Sequence, residues 1–288
     1  MFLPDVTWVE KSFPQLTDVN LLARGGQKLV FRATHARYGT VVIKFILDAS
    51  SNERTKREVD VATKYQISNI PKVYEYSNIE NHGDQAVYLI EEFIDGITLR
   101  EFLKANGKVS LKTALDILEA LLVTAVELEK NRIVHRDIKP ENIIIKKAGG
   151  ICLLDFGIAR LLSMPSLTLT KAHFGPCTPG YAAPEQFRNL KKEIDIRADL
   201  FSIGVTIYES ISGKNPFITD GSHPLDALRR TETIQPMQFE IPGDTQKQLI
   251  GFLSIMMDKF PSRRPNSAET ALKWFHALRP TLNLEGEE

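Results

Sequence analysis

The chain has 288 residues and balances 36 Lys plus Arg against 36 Asp plus Glu, so its formal net charge is zero. Its composition, 43% hydrophobic and 25% charged, is that of a globular protein and excludes disordered and fibrous classes. The charge balance argues against binding of nucleic acid through a basic surface, and no apolar run reaches the roughly 18 residues that a membrane helix needs. With no signal peptide at the start and with Cys152 and Cys177 as the only thiols, we expect a cytoplasmic protein with reduced cysteines.

The first third of the chain has the residue pattern of β-strands. Runs of β-branched and aromatic residues, separated by Gly-Gly and Tyr-Gly turns, predict strands at 19–22, 29–34, 40–47, 73–76 and 86–93. Between the third and fourth strands, residues 50–53 have the form of a capping box and predict a helix that runs to about Ile67. The pair Asp95-Gly96 interrupts the pattern, and we expect the boundary between two lobes there.

The chain beyond this break has a predominantly helical pattern. A capping box from Thr98 to Glu101 and an N-cap at Ser110 predict two helices, the second with apolar residues at helical spacing as far as Leu128. Further helices are predicted at 200–211, 249–257 and 268–278, and short strands at 143–145 and 151–154. The helix at 200–211 is nearly all apolar, so we expect it to be buried on every side. This order predicts a small β-rich lobe followed by a larger α-helical lobe.

Two segments carry the residues that point to a chemistry. They are His135-Arg136-Asp137-Ile138-Lys139-Pro140-Glu141-Asn142 and Leu154-Asp155-Phe156-Gly157. Carboxylate and amide oxygens on neighbouring loops suit Mg²⁺, which shares its oxygen ligands with phosphates. Asp137 can accept a proton from a hydroxyl while Lys139 neutralises charge on a phosphoryl group in transfer. The alternative, a pair of solvated turns, is preferred for the segment 155–157 taken alone, because three residues recur by chance.

Together these segments resemble the eukaryotic-type (Hanks-type) Ser/Thr protein kinase family, most closely its bacterial members, from about Leu16 to about Leu278. The resemblance implies an α+β, bilobal protein-kinase-like fold with a small β-rich N-lobe, which contains one main helix, and a larger α-helical C-lobe. It divides the chain into an N-terminal extension at 1–15, an N-lobe at 16–94, a C-lobe at 95–279 and a tail at 280–288.

The resemblance also implies roles for particular residues. Asp137 matches the catalytic base and Lys139 the lysine typical of Ser/Thr kinases, while Asn142 and Asp155 match the ligands of Mg²⁺, for which Mn²⁺ could substitute. Lys44, in the strand Val41-Val42-Ile43-Lys44, would pair with the α- and β-phosphates of ATP and with a glutamate of the following helix. Glu58 is the expected partner by its separation from Ile70, whereas Glu53 is better explained as a helix cap.

The nucleotide-binding residues depart in part from the family pattern. Gly25 and Gly26 lie in the glycine-rich loop, but Ala23 and Lys28 replace two of its glycines, and Lys28 could itself reach the phosphates. Taken alone, Gly25-Gly26 could equally be a plain hairpin turn. The remaining positions that the resemblance assigns to the adenine are the backbone of Glu92 and Ile94 and the side chains of Leu22, Val30, Val42 and Ile144. Glu91 falls at the gatekeeper position, where burial without a partner would be costly, so we expect a basic partner or an outward rotation.

The segment from Thr178 to Glu185 matches the family's peptide-docking segment, which small-molecule kinases lack. Glu185 is expected to pair with Arg264, and Asp199 to anchor the catalytic loop from the buried helix. Thr168 and Thr170 are candidate phosphorylation sites near Arg136 and Arg160, against the alternative of an unmodified loop beside a solvated basic face.

The resulting hypothesis is a Ser/Thr protein kinase that transfers the γ-phosphoryl group of ATP to protein substrates and to itself, the latter through a transient homodimer. The alternative is a pseudokinase that binds nucleotide as an interaction module, favoured by Ala23, Lys28 and Glu91. A small-molecule phosphotransferase is disfavoured by the segment 178–185. The sequence leaves open whether the chain is a stand-alone kinase or one domain of a longer protein.

Overall fold

The computed structural model describes residues 3–25, 28–47, 67–81, 84–154, 177–188, 194–221 and 223–284. These residues form two units. The first contains the described residues up to Leu47 together with Ile70–Asp95, and the second contains Ile67–Asn69, Gly96–Leu154 and the described residues from Cys177 onward. The helix predicted from Ser50 to about Ile67 lies outside the described residues, apart from its last residue.

An antiparallel sheet of five strands makes up most of the first unit, in the order β1-β2-β3-β5-β4. The strands are β1 (Leu16–Arg24), β2 (Lys28–His35), β3 (Gly39–Leu47), β4 (Val73–Asn81) and β5 (Asp84–Glu92). Each contains a predicted strand and extends it at one or both ends, although Phe93, predicted as the end of the last, lies outside β5. A helix that the sequence analysis did not predict, α1 (Val6–Ser12), precedes the sheet, and its N-cap Asp5 accepts a hydrogen bond from the Trp8 N–H at 2.8 Å.

Alternation along β3 separates a core face of the sheet from an open face. Val41, Ile43 and Phe45 are fully buried, and the Phe45 ring makes edge contacts with other aromatic rings of the core. Val42 and Lys44 point to the opposite face, since successive side chains of a strand alternate in direction. Both residues were predicted to bind nucleotide, so the structure places these two candidates on one face of the sheet.

The second unit is mainly helical. Its α-helices are α2 (Leu99–Asn106), α3 (Leu111–Lys130), α4 (Pro184–Phe187), α5 (Ile196–Ser212), α6 (Pro224–Thr233), α7 (Gln248–Met256) and α8 (Ala268–Leu278). The capping box predicted at Thr98 is present, with its hydroxyl accepting the Glu101 N–H at 3.1 Å while the Glu101 carboxylate accepts the Thr98 N–H at 2.8 Å. Helix α5 is buried along almost its whole length, as the nearly all-apolar stretch at 200–211 predicts, and it packs against α3 and α7. Helices α4 and α6 were not predicted.

A small antiparallel sheet, β6-β7-β8, frames the predicted catalytic loop within this unit. Its strands are β6 (Gly96–Thr98), β7 (Ile143–Lys146) and β8 (Ile151–Leu153). The backbones of β6 and β7 approach so closely that a Cβ atom on Gly96 would lie 2.2 Å from the carbonyl oxygen of Ile145, which explains the glycine. The predicted catalytic loop enters β7 through a 3₁₀ turn, Pro140–Asn142. The sheet therefore fixes the end of that loop.

Across the described ranges, no helix combines the length and the apolar character that crossing a lipid bilayer would require.

Lys259 is a basic side chain held against aromatic rings in the second unit. Its Nζ lies 4.3 Å from the centroid of the Phe217 ring and 5.9 Å from that of Phe201, and among the described residues it has no hydrogen-bond acceptor. Burial lowers the pKa of Lys259 to about 8, with the neighbouring Asp258 acting in the opposite direction. The attraction between the ammonium group and the ring faces offsets part of the cost of this burial.

We expect Lys259 to contribute a rise in the free energy of unfolding between pH 8 and pH 10.5, and Lys259→Met to remove that contribution. In this interval the unfolded chain holds a proton that folded Lys259 has released, so raising the pH favours the folded state. Urea unfolding of wild type and variant just below pH 8 and at about pH 10 measures the effect. Lys273→Met is the matched control, since the Lys273 side chain is 72% exposed. The expectation would be contradicted if the free energy of unfolding differed between Lys259→Met and wild type by the same amount at both pH values.

Candidate active site

The predicted catalytic loop is anchored to the start of α5 by the carboxylate of Asp199. Its Oδ2 accepts the N–H of His135 and its Oδ1 the N–H of Arg136, both at 2.7 Å. Arg136 has φ of +68°, a left-handed conformation that costs an ordinary residue roughly 1–2 kcal/mol. Burial raises the pKa of the fully buried Asp199, while the two backbone N–H donors act in the opposite direction. The carboxylate therefore holds the loop in a conformation that it would not otherwise favour.

His135 connects this loop to the end of β8. Its ring is fully buried, and Nδ1 accepts the N–H of Asp137 at 3.2 Å. Nδ1 consequently carries no proton, so Nε2 is the protonated nitrogen and donates to the carbonyl oxygen of Leu154 at 3.0 Å. The imidazole thus acts as a fixed bridge between the backbone of Asp137 and that of Leu154, the residue before Asp155.

We expect Asp199→Asn to lower both stability and activity. The amide has one acceptor oxygen, so either the His135 or the Arg136 N–H loses its partner, at a cost of about 1–3 kcal/mol. The melting temperature and the phosphoryl-transfer rate at a temperature where the variant is folded measure the two effects. Asp195→Asn, which changes the partly exposed N-cap of the same helix, is the control for stability. A variant as stable and as active as the control would show that the anchor has no such role.

Asp137 has side-chain partners from both its own loop and the segment before α4. Its Oδ2 lies 2.9 Å from Lys139 Nζ and accepts the Asn142 amide N–H at 3.0 Å. Its Oδ1 accepts the hydroxyl of Thr178 at 2.7 Å, and Lys139 Nζ donates to the same hydroxyl oxygen at 3.0 Å. An alcohol, a carboxylate and an ammonium group therefore meet at one point. The sequence analysis assigned Thr178 to peptide docking and did not predict this contact.

The orientation of Asn142 tests whether the loop fits a divalent cation. Its amide nitrogen donates to both the carbonyl oxygen and Oδ2 of Asp137, at 2.8 and 3.0 Å, so the side-chain oxygen is the atom that can face a cation. This amide oxygen is a hard oxygen donor of the type that Mg²⁺ prefers. The residues present fit the ion, and the second predicted ligand, Asp155, lies outside the described residues.

The structure gives Glu91 a basic partner, and that partner is Lys44. The two side chains form an ion pair of 2.5 Å between Lys44 Nζ and Glu91 Oε2, with 9% and 10% of the side chains exposed. Strand pairing explains the contact, because Lys44 lies opposite Leu89 and Val42 opposite Glu91 on neighbouring strands. Glu58, the partner predicted for Lys44, lies outside the described residues.

The other residues predicted to bind nucleotide divide between the two units. In the first unit Val30 and Val42 are partly exposed on the face that carries Lys44. Leu22 is 51% exposed and lies where the pairing of β1 with β2 shifts in register. The Gly25 N–H donates to the Lys28 carbonyl oxygen at 2.8 Å, and the Glu92 N–H donates to the Lys72 carbonyl oxygen at 2.8 Å. Ile94 is partly exposed beyond β5, and Ile144 is partly exposed on β7 in the second unit. The predicted residues that lie outside the described ranges are Gly26, Glu58, Asp155, Thr168 and Thr170.

Two ion-pair networks surround the catalytic loop in the second unit. Glu185 and Arg264 form the expected pair, with oxygen–nitrogen distances of 2.6 and 3.0 Å and almost no exposure. Arg100, which the sequence analysis did not single out, bridges Glu141 at 2.7 Å and Glu209 at 2.8 Å. Arg100 lies within the capping box Thr98–Glu101, and nothing in that local pattern predicts the two ion pairs, because both partners are distant in sequence.

Comparison with known proteins gives consistent matches over most of the chain. Residues 16–275 match the family described as Protein kinase domain. The chain is 31% identical over 234 residues to the probable serine/threonine-protein kinase PknB of Bifidobacterium longum, covering 77% of this chain and 34% of that protein. It is 32% identical over 254 residues to the serine/threonine-protein kinase PknA of Mycobacterium tuberculosis, covering 86% of this chain and 57% of that protein. It is 35% identical over 195 residues to the serine/threonine-protein kinase PrkC of Bacillus subtilis, covering 65% and 28% respectively. The matched part of each relative is thus less than two thirds of its length.

Proposed function

The chain belongs to the protein kinase domain family, and from this premise we propose that it is an ATP-dependent protein serine/threonine kinase. The reaction would transfer the γ-phosphoryl group of ATP to the hydroxyl of a serine or threonine in a protein substrate. The names of the similar bacterial proteins support this proposal, since each is called a serine/threonine-protein kinase.

The observation that carries the proposal is the hydrogen bond that the hydroxyl group of Thr178 donates to the carboxylate of Asp137. The contact of 2.7 Å to Oδ1 has the length of a charge-assisted O–H···O⁻ bond, so the carboxylate accepts an alcohol proton donor in this environment. A substrate hydroxyl bound in the same way would be oriented by Asp137 and would give up its proton to it as the new O–P bond forms. Lys139, within 3.0 Å of the same hydroxyl oxygen, would neutralise charge on the phosphoryl group.

We assign the cofactors of this reaction as ATP and Mg²⁺, with Mn²⁺ as a substitute. Asn142 and Asp155 would hold the cation, which supplies charge neutralisation at the phosphates when bound. Lys44 would contact the α- and β-phosphates, with Glu58 on the helix that follows β3 as a supporting partner. Leu22, Val30, Val42 and Ile144 would contact the base, and the backbone of Glu92 and Ile94 would bond to it; the loop residues Gly25, Gly26 and Lys28 would lie over the phosphates.

Protein substrates, rather than small molecules, are supported by the segment before α4, which ties Thr178 to the catalytic carboxylate. Phosphorylation at Thr168 and Thr170, autophosphorylation through a transient homodimer and a cytoplasmic location remain predictions. So does the domain division at residues 15, 94 and 279.

Transfer of label from γ-labelled ATP tests the proposal. The chain is incubated with Mg²⁺ and a generic protein substrate, and the labelled residues are identified after acid hydrolysis. Label on phosphoserine or phosphothreonine that is lost with EDTA and in Asp137→Ala is the expected result. Nucleotide binding without any transfer would overturn the proposal and favour the pseudokinase.

A further inference from the structure

We infer that Glu91 weakens the phosphate-dependent part of nucleotide binding by neutralising Lys44 from the neighbouring strand. Glu91 would thus act through Lys44, as a residue that determines how strongly the site distinguishes a nucleotide from its nucleoside. The inference rests on the proposed function, because it takes Lys44 as the side chain that contacts the phosphates.

The position of the pair in the sheet supports this role. Lys44 lies opposite Val30 on β2 and opposite Leu89 on β5, while Glu91 lies opposite Val42, the residue two positions before Lys44. Residues that lie opposite one another share a face of the sheet, so Glu91 approaches Lys44 diagonally across the two strands. The face is that on which Val30 and Val42 are partly exposed. The carboxylate is therefore attached to the same surface as the lysine.

Burial makes the pair electrostatically significant. Counted as whole residues, Lys44 and Glu91 are each 8% exposed, and their charged atoms are 2.5 Å apart. Water screens such a pair poorly, so the carboxylate largely cancels the field of the ammonium group in its surroundings. A phosphate that approaches Lys44 Nζ also approaches Glu91 Oε2 and is repelled by it. Whether the pair stays closed or opens on binding, the phosphate gains less from Lys44 than it would without the carboxylate of Glu91.

The effect is specific to the phosphates. A nucleoside contacts the site through its base and ribose and carries no charge that would be attracted by Lys44 or repelled by Glu91. Removing the charge of Glu91 should therefore strengthen the binding of ADP and leave that of adenosine unchanged. A merely structural role of the ion pair would change the affinity for both.

The test compares the dissociation constants of Mg²⁺-ADP and adenosine, by calorimetry, for wild type and Glu91→Gln. We expect the affinity for ADP to increase roughly tenfold or more in the variant and that for adenosine to change less than about twofold. Glu80→Gln is the matched control, because it removes one carboxylate from the exposed part of β4 in the same sheet. Adding Lys44→Met to Glu91→Gln should abolish the gain for ADP.

Glu91→Asp keeps the charge but moves the carboxylate away from Lys44 by the length of one methylene group. It replaces Glu91→Gln in the test if the amide variant does not fold. We expect it to show a smaller increase in the ratio of ADP affinity to adenosine affinity. An unchanged ratio in both folded variants, or a ratio that falls, overturns the inference while leaving the proposed function intact. Failure of wild type and variants alike to bind either compound would instead overturn the proposed function, and the inference with it.

Discussion

Asp137→Asn should lower kcat for phosphoryl transfer by roughly 10²- to 10⁴-fold, the usual contribution of a general base. The amide keeps the size of the side chain and one acceptor oxygen, but it cannot take the proton of the attacking hydroxyl. The KM for ATP should change little, because Asp137 is assigned to the hydroxyl and not to the nucleotide. Initial rates at varied ATP concentration, with a peptide substrate held in excess, measure both quantities.

Two comparisons separate this catalytic effect from a structural one. Asp116→Asn is the matched control, since Asp116 is a 55% exposed aspartate of α3 in the same unit and should leave kcat unchanged. The melting temperature of Asp137→Asn should remain close to that of wild type, because Asn142, Lys139 and Thr178 can still bond to an amide. A kcat within a few fold of wild type, in a protein that transfers label, would mean that another group takes the proton.

The elements of the fold were predictable where the signals are local. Thr98 and Glu101 are three residues apart and form the capping box that their spacing predicts. Helix α5 was predicted from the mainly apolar stretch at 200–211, and every residue of that stretch is buried. The helices α1 and α6 were missed because few of their residues are fully buried, Val9 in the first and Ala227, Leu228 and Thr231 in the second. So narrow an apolar stripe gives little helical periodicity.

The chemistry of the candidate site was predictable to the extent that it lies in one stretch of chain. Asp137, Lys139 and Asn142 are close in sequence, and their types alone suggest a metal ion and a proton acceptor. The bond from Thr178 to Asp137 joins residues 41 positions apart, and that from Arg100 to Glu209 joins residues 109 apart. Such contacts depend on how distant elements pack, which residue types and spacing do not specify.

The partner of Glu91 illustrates the same limit at the level of strand register. The cost of burying a carboxylate predicted a basic partner or an outward rotation, but it did not identify the partner. The pairing of Val42 with Glu91 selects Lys44, and a shift of one residue would have turned Glu91 to the core face. Register is fixed by the whole sheet, so the identity of the partner required the structure.

Arg264→Met should destabilise the protein by about 3–5 kcal/mol, because it leaves the Glu185 carboxylate buried without its partner. The Arg264 and Glu185 side chains are 0% and 2% exposed, and the guanidinium also donates to the carbonyl oxygens of Arg197 and Asp258, at 2.9 and 2.8 Å. The ring of Phe201 stacks 4.9 Å from the guanidinium carbon. The arginine therefore joins α4, α5 and the segment after α7 through one planar group, which methionine can replace in volume but not in hydrogen bonding.

A double-mutant cycle with Glu185→Leu separates the ion pair from the other contacts of Arg264. We expect the double variant to be more stable than Arg264→Met alone, since the uncompensated charge is gone, yet less stable than wild type, since the hydrogen bonds from the guanidinium to the backbone carbonyl oxygens of Arg197 and Asp258 are still lost. Urea unfolding of all four proteins gives the coupling energy. The exposed pair Arg188–Glu232, with side chains 51% and 30% exposed, is the matched control, for which Arg188→Met should cost less than about 1 kcal/mol. If Arg264→Met lowers the free energy of unfolding by no more than Arg188→Met does, the buried pair is not what holds α4 beside the catalytic loop.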